Sequence, residues 1–318
     1  MRGNCQLFFG KLKIRQYCNI FGFSLRLEPV NININYVEEI IALGRRVRSS
    51  VVDGLFYPED VAGVLAYMRK IGLKRGKGGQ ARAIIAPHGA WEFSGSLVGA
   101  AFSLAGGRTG RDYPSRVVIM GPIHDKRAEG LFLSNSDSFR TPLGDLPVDL
   151  ETVEALESCS PFFQIDDIPH LQEHSIEVLL PFVKYCFPEA SIVPILMGKP
   201  HKPLVSTLSQ SLRNVLTHEM ENTLLVVSFN MVVNQGEEEA LDMAWECQNL
   251  LEEGKCAELC KILQNGRITS CGGGLVTALL QSGLVDTMNP RLASSSLQSA
   301  LGENGRTVYY GAFSFNSY

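Results

Sequence analysis

The stretch Ala81-Arg82-Ala83-Ile84-Ile85-Ala86-Pro87-His88-Gly89 decides the fold of this chain. Residues 83–86 form a short apolar run that ends in a turn containing proline and glycine. A run of this length between turn residues is typical of a buried strand in a parallel sheet. His88 therefore lies just after a strand, at the end where the loops of an open α/β sheet gather around a ligand.

Outward from this stretch, short apolar runs alternate with segments of helical periodicity. Further strands are predicted at residues 116–120, 191–196, 223–228 and 307–313, and helices at residues 95–104, 150–158, 175–186, 203–216, 237–252, 256–263 and 274–282. Residues 131–134 predict an additional strand at the edge of the sheet. We therefore predict an α/β fold, a single layered domain with a central, mostly parallel sheet flanked by helices.

The composition argues against two classes of partner. A net charge of −4 gives no general attraction to nucleic acid. No segment approaches the roughly 18 consecutive apolar residues of a membrane span.

The eight cysteines contain no CxxC pair, which favours a reducing compartment over a disulfide framework. We identify no signal peptide and expect a cytoplasmic protein with neither nucleic-acid nor membrane partners.

The first 45 residues differ in composition and residue pattern from the rest of the chain. They combine several phenylalanines with an alternating polar segment, Asn31-Ile32-Asn33-Ile34-Asn35, and carry no strand-end motif. They are either an accessory arm or the product of a start codon placed too far upstream. The predicted organisation is an extension over residues 1–45 and an α/β domain over residues 46–318.

A second histidine follows a predicted strand. Residues 116–120 run into Gly121-Pro122-Ile123-His124, so His124, like His88, comes shortly after a proline that stiffens its loop. Each histidine alone could simply bond the backbone of its loop. Their repetition at equivalent strand ends favours a ligand or general-base role for both.

The segment Glu173-His174-Ser175-Ile176-Glu177 predicts the opening of an amphipathic helix, with Glu173 near its N-cap. Glu173, His174 and Glu177 can then share one side of the first turn. Such a polar helix start could orient a ligand or a metal-binding histidine. It could equally be a well-capped helix whose acids complement the helix dipole.

The third strand-end or helix-end candidate for the site is a cysteine that precedes a predicted helix. Ser270-Cys271-Gly272-Gly273-Gly274 leads into an apolar helix, where free backbone N–H groups and the dipole favour an anion. A thiol there is suited to metal ligation or nucleophilic attack. The segment lacks the Lys-Ser/Thr of a phosphate-binding loop. It could also be a flexible helix entry with an incidental cysteine.

Taken together, these motifs resemble those of the Memo family. The matching stretches appear in the family's order over about residues 47–318. They are Gly54-Leu55-Phe56-Tyr57-Pro58, Ala81-Arg82-Ala83-Ile84-Ile85-Ala86-Pro87-His88, Gly121-Pro122-Ile123-His124, Phe139-Arg140-Thr141-Pro142-Leu143-Gly144, Glu173-His174-Ser175-Ile176-Glu177 and Cys271-Gly272. Ordered agreement of this kind is far more specific than any one motif.

The resemblance implies a fold like that of the class III extradiol dioxygenases (LigB-like). It also implies a His, His, Cys site associated with iron or copper and with redox activity, which places His88, His124 and Cys271 in metal-contacting roles. His174 and Glu177 become candidates for catalytic or orienting roles near that site. Prokaryotic members, known as AmmeMemoRadiSam system protein B, accompany AMMECR-type and radical-SAM proteins, which are therefore candidate partners.

The sequence departs from the family pattern at three places. An aspartate and, three residues later, a histidine usually follow the strand that ends here at Ser228, whereas this chain has Asn230 and Val233. Gly273-Gly274 replaces a frequent Arg-His pair, and Gly89-Ala90-Trp91 replaces Ala-Gly-Tyr. The loss of an acid and two imidazoles puts catalysis in doubt more than it does the fold.

Three hypotheses for function remain open. The first is a Memo-type protein that binds a single iron or copper ion, with redox chemistry on an unknown substrate. The second is a catalytically degenerate member that binds a peptide or a protein partner. The third is a metal-free hydrolase that uses Cys271 as nucleophile with His88 or His124 as base.

Overall fold

The computed structural model describes residues 46–74, 79–106, 113–299 and 307–317, apart from the side chains of residues 234, 235, 298, 299 and 317, together with the backbone of three strands between residues 5 and 24. The chain divides into two compact units, Met1–Arg46 and Val47–Tyr318.

The first unit contains an antiparallel sheet of three strands, β1 (Cys5–Phe9), β2 (Leu12–Asn19) and β3 (Gly22–Ser24), with β2 in the centre. Most of the predicted extension, residues 1–45, lies outside the described residues. Both interpretations of the extension therefore stay predictions.

The second unit alternates strands with helices along the chain. Its helices are α1 (Val61–Lys70), α2 (Trp91–Leu104), α3 (Leu150–Glu157), α4 (Asp167–Gln172), α5 (Leu180–Cys186), α6 (Lys202–Leu216), α7 (Glu237–Glu252), α8 (Cys256–Gln264) and α9 (Gly273–Gln281). Its strands are β4 (Val47–Arg48), β5 (Ala81–Ala86), β6 (Arg116–Pro122), β7 (Leu131–Leu133), β8 (Ser138–Phe139), β9 (Leu146–Pro147), β10 (Phe163–Ile165), β11 (Ser191–Met197), β12 (Thr223–Ser228), β13 (Val232–Gln235), β14 (Met288–Ser299) and β15 (Thr307–Ser317).

The central sheet has the order β10-β7-β11-β6-β12-β5-β15-β13, and β14 pairs with β15 beside this path. The middle four strands, β11, β6, β12 and β5, are parallel. Every residue of β5 and β12 is buried, so helices must cover both faces of the sheet. The predicted α/β class is confirmed, with antiparallel pairs added on both sides of the parallel centre.

The prediction of an edge strand at residues 131–134 was wrong in its position. β7 lies inside the sheet, antiparallel to β11 on one side and parallel to β10 on the other. Three residues are too few to reveal from sequence how many neighbours a strand has. The long strand β14 was missed because its polar run, Ser294-Ser295-Ser296, hides the apolar positions.

The helix predicted at residues 175–186 begins later than expected. Residues 173–176 are not helical, Glu177–Leu179 form one 3₁₀ turn, and the α-helix α5 begins only at Leu180. Glu173 follows α4 as its C-cap residue, and because residues 174–176 after it are not helical, it is not the N-cap of the helix that begins later. Glu173, His174 and Glu177 therefore do not lie on one side of a shared helical turn. The carboxylates of Glu173 and Glu177 bind different partners.

Among the described residues, no helix combines the length and the apolar character that a membrane crossing requires.

Candidate metal centre

Three side chains meet at the carboxyl edge of the parallel strands. His88 lies two residues after β5, His124 two residues after β6, and Cys271 two residues before α9. Strand β12 lies between β5 and β6, so the two histidine loops approach each other across its end. The candidate ligand atoms of these three residues all lie within 4.8 Å of one another.

Two successive hydrogen bonds, to Ser228 and from Ser228 to Ser175, hold the ring of His88 in place. Its Nδ1 lies 2.8 Å from Oγ of Ser228, and that hydroxyl donates to the carbonyl oxygen of Ser175, also at 2.8 Å. Burial and the neighbouring His124 and His174 lower the pKa of His88 well below its ordinary value. His88 is 1% exposed, and its Nε2 has no hydrogen-bond partner among the described residues. The ring is therefore neutral, and an unpartnered nitrogen faces the cluster.

His124 lies between a carboxylate and a thiol. Its Nδ1 is 2.9 Å from Oε1 of Glu173, and its Nε2 is 3.2 Å from Sγ of Cys271. Burial lowers the pKa of His124, but the electrostatic interactions and hydrogen bonds with Cys271 and Glu173 outweigh burial and raise that pKa well above its ordinary value. The side chain is still 37% exposed, so solvent weakens these interactions.

Glu173 is the acceptor that organises this side of the cluster. Its carboxylate accepts from the backbone N–H of His124 at 2.7 Å and from those of His174 and Ser175 at 2.8 Å. Burial alone would raise the pKa of Glu173, but the charge of His124 and these donors hold it well below its ordinary value. Glu173 therefore stays ionised although it is only 5% exposed.

His174 packs against the cluster. Its ring stacks on that of His124, with centroids 4.6 Å apart and planes 16° apart, and it meets His88 edge-on at 5.9 Å. Burial lowers the pKa of His174 to about 4, although the charge of Glu173 opposes that shift. His174 is therefore neutral at pH 7. His124, Glu173 and His174 also form a second group in which three ligand atoms lie within 4.8 Å of one another.

Asn230 connects two of the predicted ligands. Its Oδ1 accepts from the backbone N–H of His88 at 3.1 Å. Its backbone forms an antiparallel bridge to Cys271, with N–H···O distances of 2.9 and 3.0 Å. The residue that sequence comparison singled out as a departure therefore positions both His88 and Cys271.

Gly272 allows Cys271 to approach the sheet. It has φ +96°, and a Cβ built at this position would lie 2.4 Å from the carbonyl oxygen of Ser228. Any larger residue would therefore clash with the backbone at the end of β12. Gly274, another departure from the family pattern, leaves similarly little room, since its Cβ would lie 2.7 Å from Cβ of Pro200.

Glu177, the other candidate for an orienting role, is engaged elsewhere. Its carboxylate accepts from the guanidinium of Arg48, from the backbone N–H groups of Val51 and Val52, and from the hydroxyl of Tyr57. Glu177 is 1% exposed. Both carboxylate oxygens thus fasten the segment around residues 48–57 to the domain.

Two further departures have structural positions. Val233 lies in β13, paired with β15, and its N–H donates to Thr269. Trp91 begins α2, donates from its indole N–H to the carbonyl oxygen of Val178 at 2.9 Å and stacks on Tyr57. Neither residue belongs to the cluster of His88, His124 and Cys271.

Sequence reasoning missed two contacts of this site and one beside it, although every residue involved was visible. Glu173 accepts from the ring of His124, Ser228 bonds the ring of His88, and Arg48 donates to Glu177. The position of Ser228 at a strand end next to the two histidine loops was a usable signal. The pairings themselves link residues 49 to 140 positions apart, which no local pattern reveals.

The fold and the cluster define an α/β protein with a His, His, Cys site at the carboxyl edge of its parallel strands. Residues 48–290 match the family described as Memo-like protein. The chain belongs to this family.

Several relatives carry the name MEMO1 family protein. The one from Thermotoga neapolitana is 30% identical over 249 residues, covering 74% of this chain and 88% of that protein. The one from Aeropyrum pernix is 28% identical over 240 residues, covering 74% and 84%, and the one from Desulfurococcus amylolyticus is 25% identical over 282 residues, covering 84% and 98%.

Among solved structures, an uncharacterized protein from Escherichia coli K12 aligns with a TM-score of 0.44 and 14% identity, covering 74% of this chain and 99% of that one. A likeness of that extent supports no conclusion about this chain.

Proposed function

We propose that this Memo-family protein binds one iron or copper ion through Nε2 of His88, Nε2 of His124 and Sγ of Cys271. One observation carries the proposal: the three ligand atoms lie within 4.8 Å of one another, and Nε2 of His88 is buried without a hydrogen-bond partner among the described residues. An unpartnered buried nitrogen costs free energy, and a bound ion would supply the missing interaction.

The surrounding residues fit this role. Glu173 and Ser228 bond Nδ1 of His124 and Nδ1 of His88, which leaves both Nε2 atoms directed into the cluster. Two imidazoles and a thiolate suit iron, copper(I) and zinc, so the ligand set does not select the metal. A bound iron or copper ion would supply redox or Lewis-acid chemistry at this site.

His174 is the residue that we propose orients a substrate beside the metal. Its ring is neutral at pH 7 and stacks on the ring of His124. A neutral imidazole can both donate and accept a hydrogen bond. We assign Glu177 a positioning role, because its carboxylate holds the backbone at Val51 and Val52.

Metal analysis of the full chain tests the proposal. Protein made with iron or copper in the medium and purified anaerobically without a histidine tag should hold about one ion per chain. His88→Ala, His124→Ala and Cys271→Ser should each weaken binding by at least ~10-fold. Cys159→Ser, at an exposed free thiol, is the matched control and should bind like the wild type. Wild-type affinity of Cys271→Ser for both iron and copper would exclude the thiol from the site.

A second candidate function, a metal-free thiol hydrolase, is favoured by the alignment of Cys271, His124 and Glu173. A thiol 3.2 Å from an imidazole that bonds a carboxylate on its other side is the arrangement of a nucleophile, a base and an orienting acid. His124 would take the thiol proton, the thiolate would attack an acyl carbon, and His124 would return the proton to the leaving group. Water would then hydrolyse the thioester, which releases the acid and restores the thiol. A chelator-treated protein that forms a thioester at Cys271 with an activated ester, and releases the acid, would support this candidate over the first.

Partner binding and location complete the proposal. We propose a cytoplasmic protein that acts with AMMECR-type or radical-SAM proteins or with a peptide ligand, as the family resemblance implies. The change to Asn230 and Val233 removes an acid and an imidazole, which is compatible with binding in place of turnover. Titration of the purified protein with each purified partner tests this role, and no binding by any of them would exclude it.

A further inference from the structure

The ring nitrogens of His88 have unequal surroundings. Nδ1 lies 2.8 Å from the hydroxyl oxygen of Ser228, whereas Nε2 is buried and without a partner among the described residues. Ser228 is itself fully buried, at the last position of β12. The position of the ring proton therefore depends on what the Ser228 hydroxyl can do at this one contact.

The Ser228 hydroxyl has one hydrogen to donate. Its oxygen lies 2.8 Å from the carbonyl oxygen of Ser175, which can only accept. The hydroxyl hydrogen is thus directed to Ser175, and the same oxygen must accept from Nδ1 of His88. A proton on Nδ1 leaves Nε2 of the neutral ring with a free lone pair.

We propose that Ser228 is a positioning residue that fixes His88 as the Nδ1–H tautomer and so keeps Nε2 available to a metal ion. This inference deepens the proposed metal site and rests on it for its second half. Metal-binding histidines usually donate their remaining ring N–H to a carboxylate, a carbonyl or water. Here a hydroxyl relays that bond to the carbonyl of Ser175, a residue that precedes the 3₁₀ turn at Glu177.

The other predicted ligand has a different arrangement. Nδ1 of His124 bonds the carboxylate of Glu173, which can only accept when ionised. A carboxylate tolerates either a neutral or a protonated ring, whereas the neutral hydroxyl beside His88 adds no charge. On its Nδ1 side His124 therefore faces a negative charge and His88 a neutral group, and only His88 depends on a hydroxyl for its tautomer.

The experiment measures the tautomer first and the metal second. Nitrogen-15 NMR of histidine-labelled, metal-free full chain, with His88 assigned by the His88→Ala variant, should show Nδ1 protonated and Nε2 unprotonated. Ser228→Ala removes the acceptor and should allow a proton on Nε2, whereas Ser228→Thr keeps the hydroxyl and the wild-type signal. Zn²⁺ affinity, measured by competition with a chromophoric chelator, should fall about 10- to 100-fold in Ser228→Ala.

Ser94→Ala is the matched control. Ser94 is also fully buried, and its hydroxyl lies 3.3 Å from the carbonyl oxygens of Gly89 and Ala90, which follow His88 in the chain. This variant should keep both the tautomer and the Zn²⁺ affinity. A loss of affinity in Ser94→Ala equal to that in Ser228→Ala would reduce Ser228 to a general packing role.

The outcomes separate this inference from the proposed function. A wild-type protein with Nε2 of His88 protonated overturns the inference, and this measurement does not depend on any Ser228 variant. Retention of Nδ1–H with undiminished Zn²⁺ affinity in Ser228→Ala overturns it too. A wild-type protein with the expected tautomer that binds no metal contradicts the proposed function while the tautomer assignment to Ser228 stands.

Discussion

Nε2 of His124 lies 3.2 Å from Sγ of Cys271, although 147 residues separate them in the chain. The contact exists because His124 follows the carboxyl end of β6 and Cys271 lies at the same edge of the sheet, just before α9 begins. Its chemistry depends on Glu173, which bonds the opposite ring nitrogen of His124. Three separate chain segments therefore set the properties of one imidazole.

The pair of His124 and Glu173 should make stability depend on pH. Glu173, whose folded pKa is lowered, contributes stability above its ordinary value of 4.5 and loses it as pH falls. His124, whose folded pKa is raised, contributes fully below its ordinary value of 6.5 and loses that contribution as pH rises through the folded pKa. Glu173→Gln should therefore cost about 2 kcal/mol near pH ~5.5, allowing for solvent screening, and less at alkaline pH.

Urea unfolding of metal-free protein across that pH range measures the effect. Asp242→Asn, at an exposed position of α7, is the control and should leave the pH profile unchanged. A cost of Glu173→Gln that is constant with pH would show that the backbone contacts of Glu173, and not its pairing with His124, carry the stability.

The amide of Asn230 should be replaceable by an acid but not by a methyl group. Asn230→Asp keeps the oxygen that accepts from the N–H of His88 and adds a charge near the cluster, so metal affinity should rise by up to ~10-fold. Asn230→Ala loses the acceptor and should cost about 1 kcal/mol of stability and lower the affinity. If Asn230→Asp changes neither metal affinity nor any redox turnover, the position has no charged role and its departure from the family pattern has no chemical meaning.

Glu177 should matter for stability far more than a surface acid does. Glu177→Gln breaks a buried ion pair with Arg48 and should lower the free energy of unfolding by about 3–5 kcal/mol. Asp145→Asn breaks the exposed pair with Arg140 and should cost at most ~1 kcal/mol. Chemical denaturation of both variants tests the contrast, and equal costs would contradict the anchoring role of Glu177.

Gly272 should not tolerate alanine. Its positive φ alone costs an L residue about 1–2 kcal/mol, and the clash with the Ser228 carbonyl should add about 1–3 kcal/mol. Gly266→Ala separates the two effects, because Gly266 has φ +74° and no atom within 4 Å of a built Cβ. Thermal unfolding of the two variants should show the larger loss at residue 272, and equal losses would mean that the chain moves to relieve the contact.

Removal of residues 1–45 should leave the cooperative unfolding of the domain nearly unchanged, because the second compact unit begins at Val47. Extending the deletion through Arg48 should lower the melting temperature sharply. Arg48 donates to the carboxylate of Glu177 and to the carbonyl oxygen of His170. Calorimetry of the two shortened chains checks this, and a loss of cooperativity in the first would assign the extension to the core.

The sequence by itself determined the α/β class and the strand ends that carry the site. Apolar runs such as residues 83–86 are local signals, because a buried parallel strand is apolar along its whole length. The motif order also indicated the family, and the rule that loops converge at the carboxyl edge of parallel strands predicted that His88 and His124 would be neighbours.

Only the tertiary structure decided which polar groups pair. Glu173 bonds His124 and Glu177 bonds Arg48, although both glutamates looked alike as parts of one predicted helix start. The backbone at residues 173–176 is not helical, so the two glutamate side chains point to different partners. Hydrogen bonds with Pro122, Ser228 and Arg48 hold that backbone in place. Such contacts join residues more than 50 positions apart, so the free energy that selects them has no counterpart in local sequence.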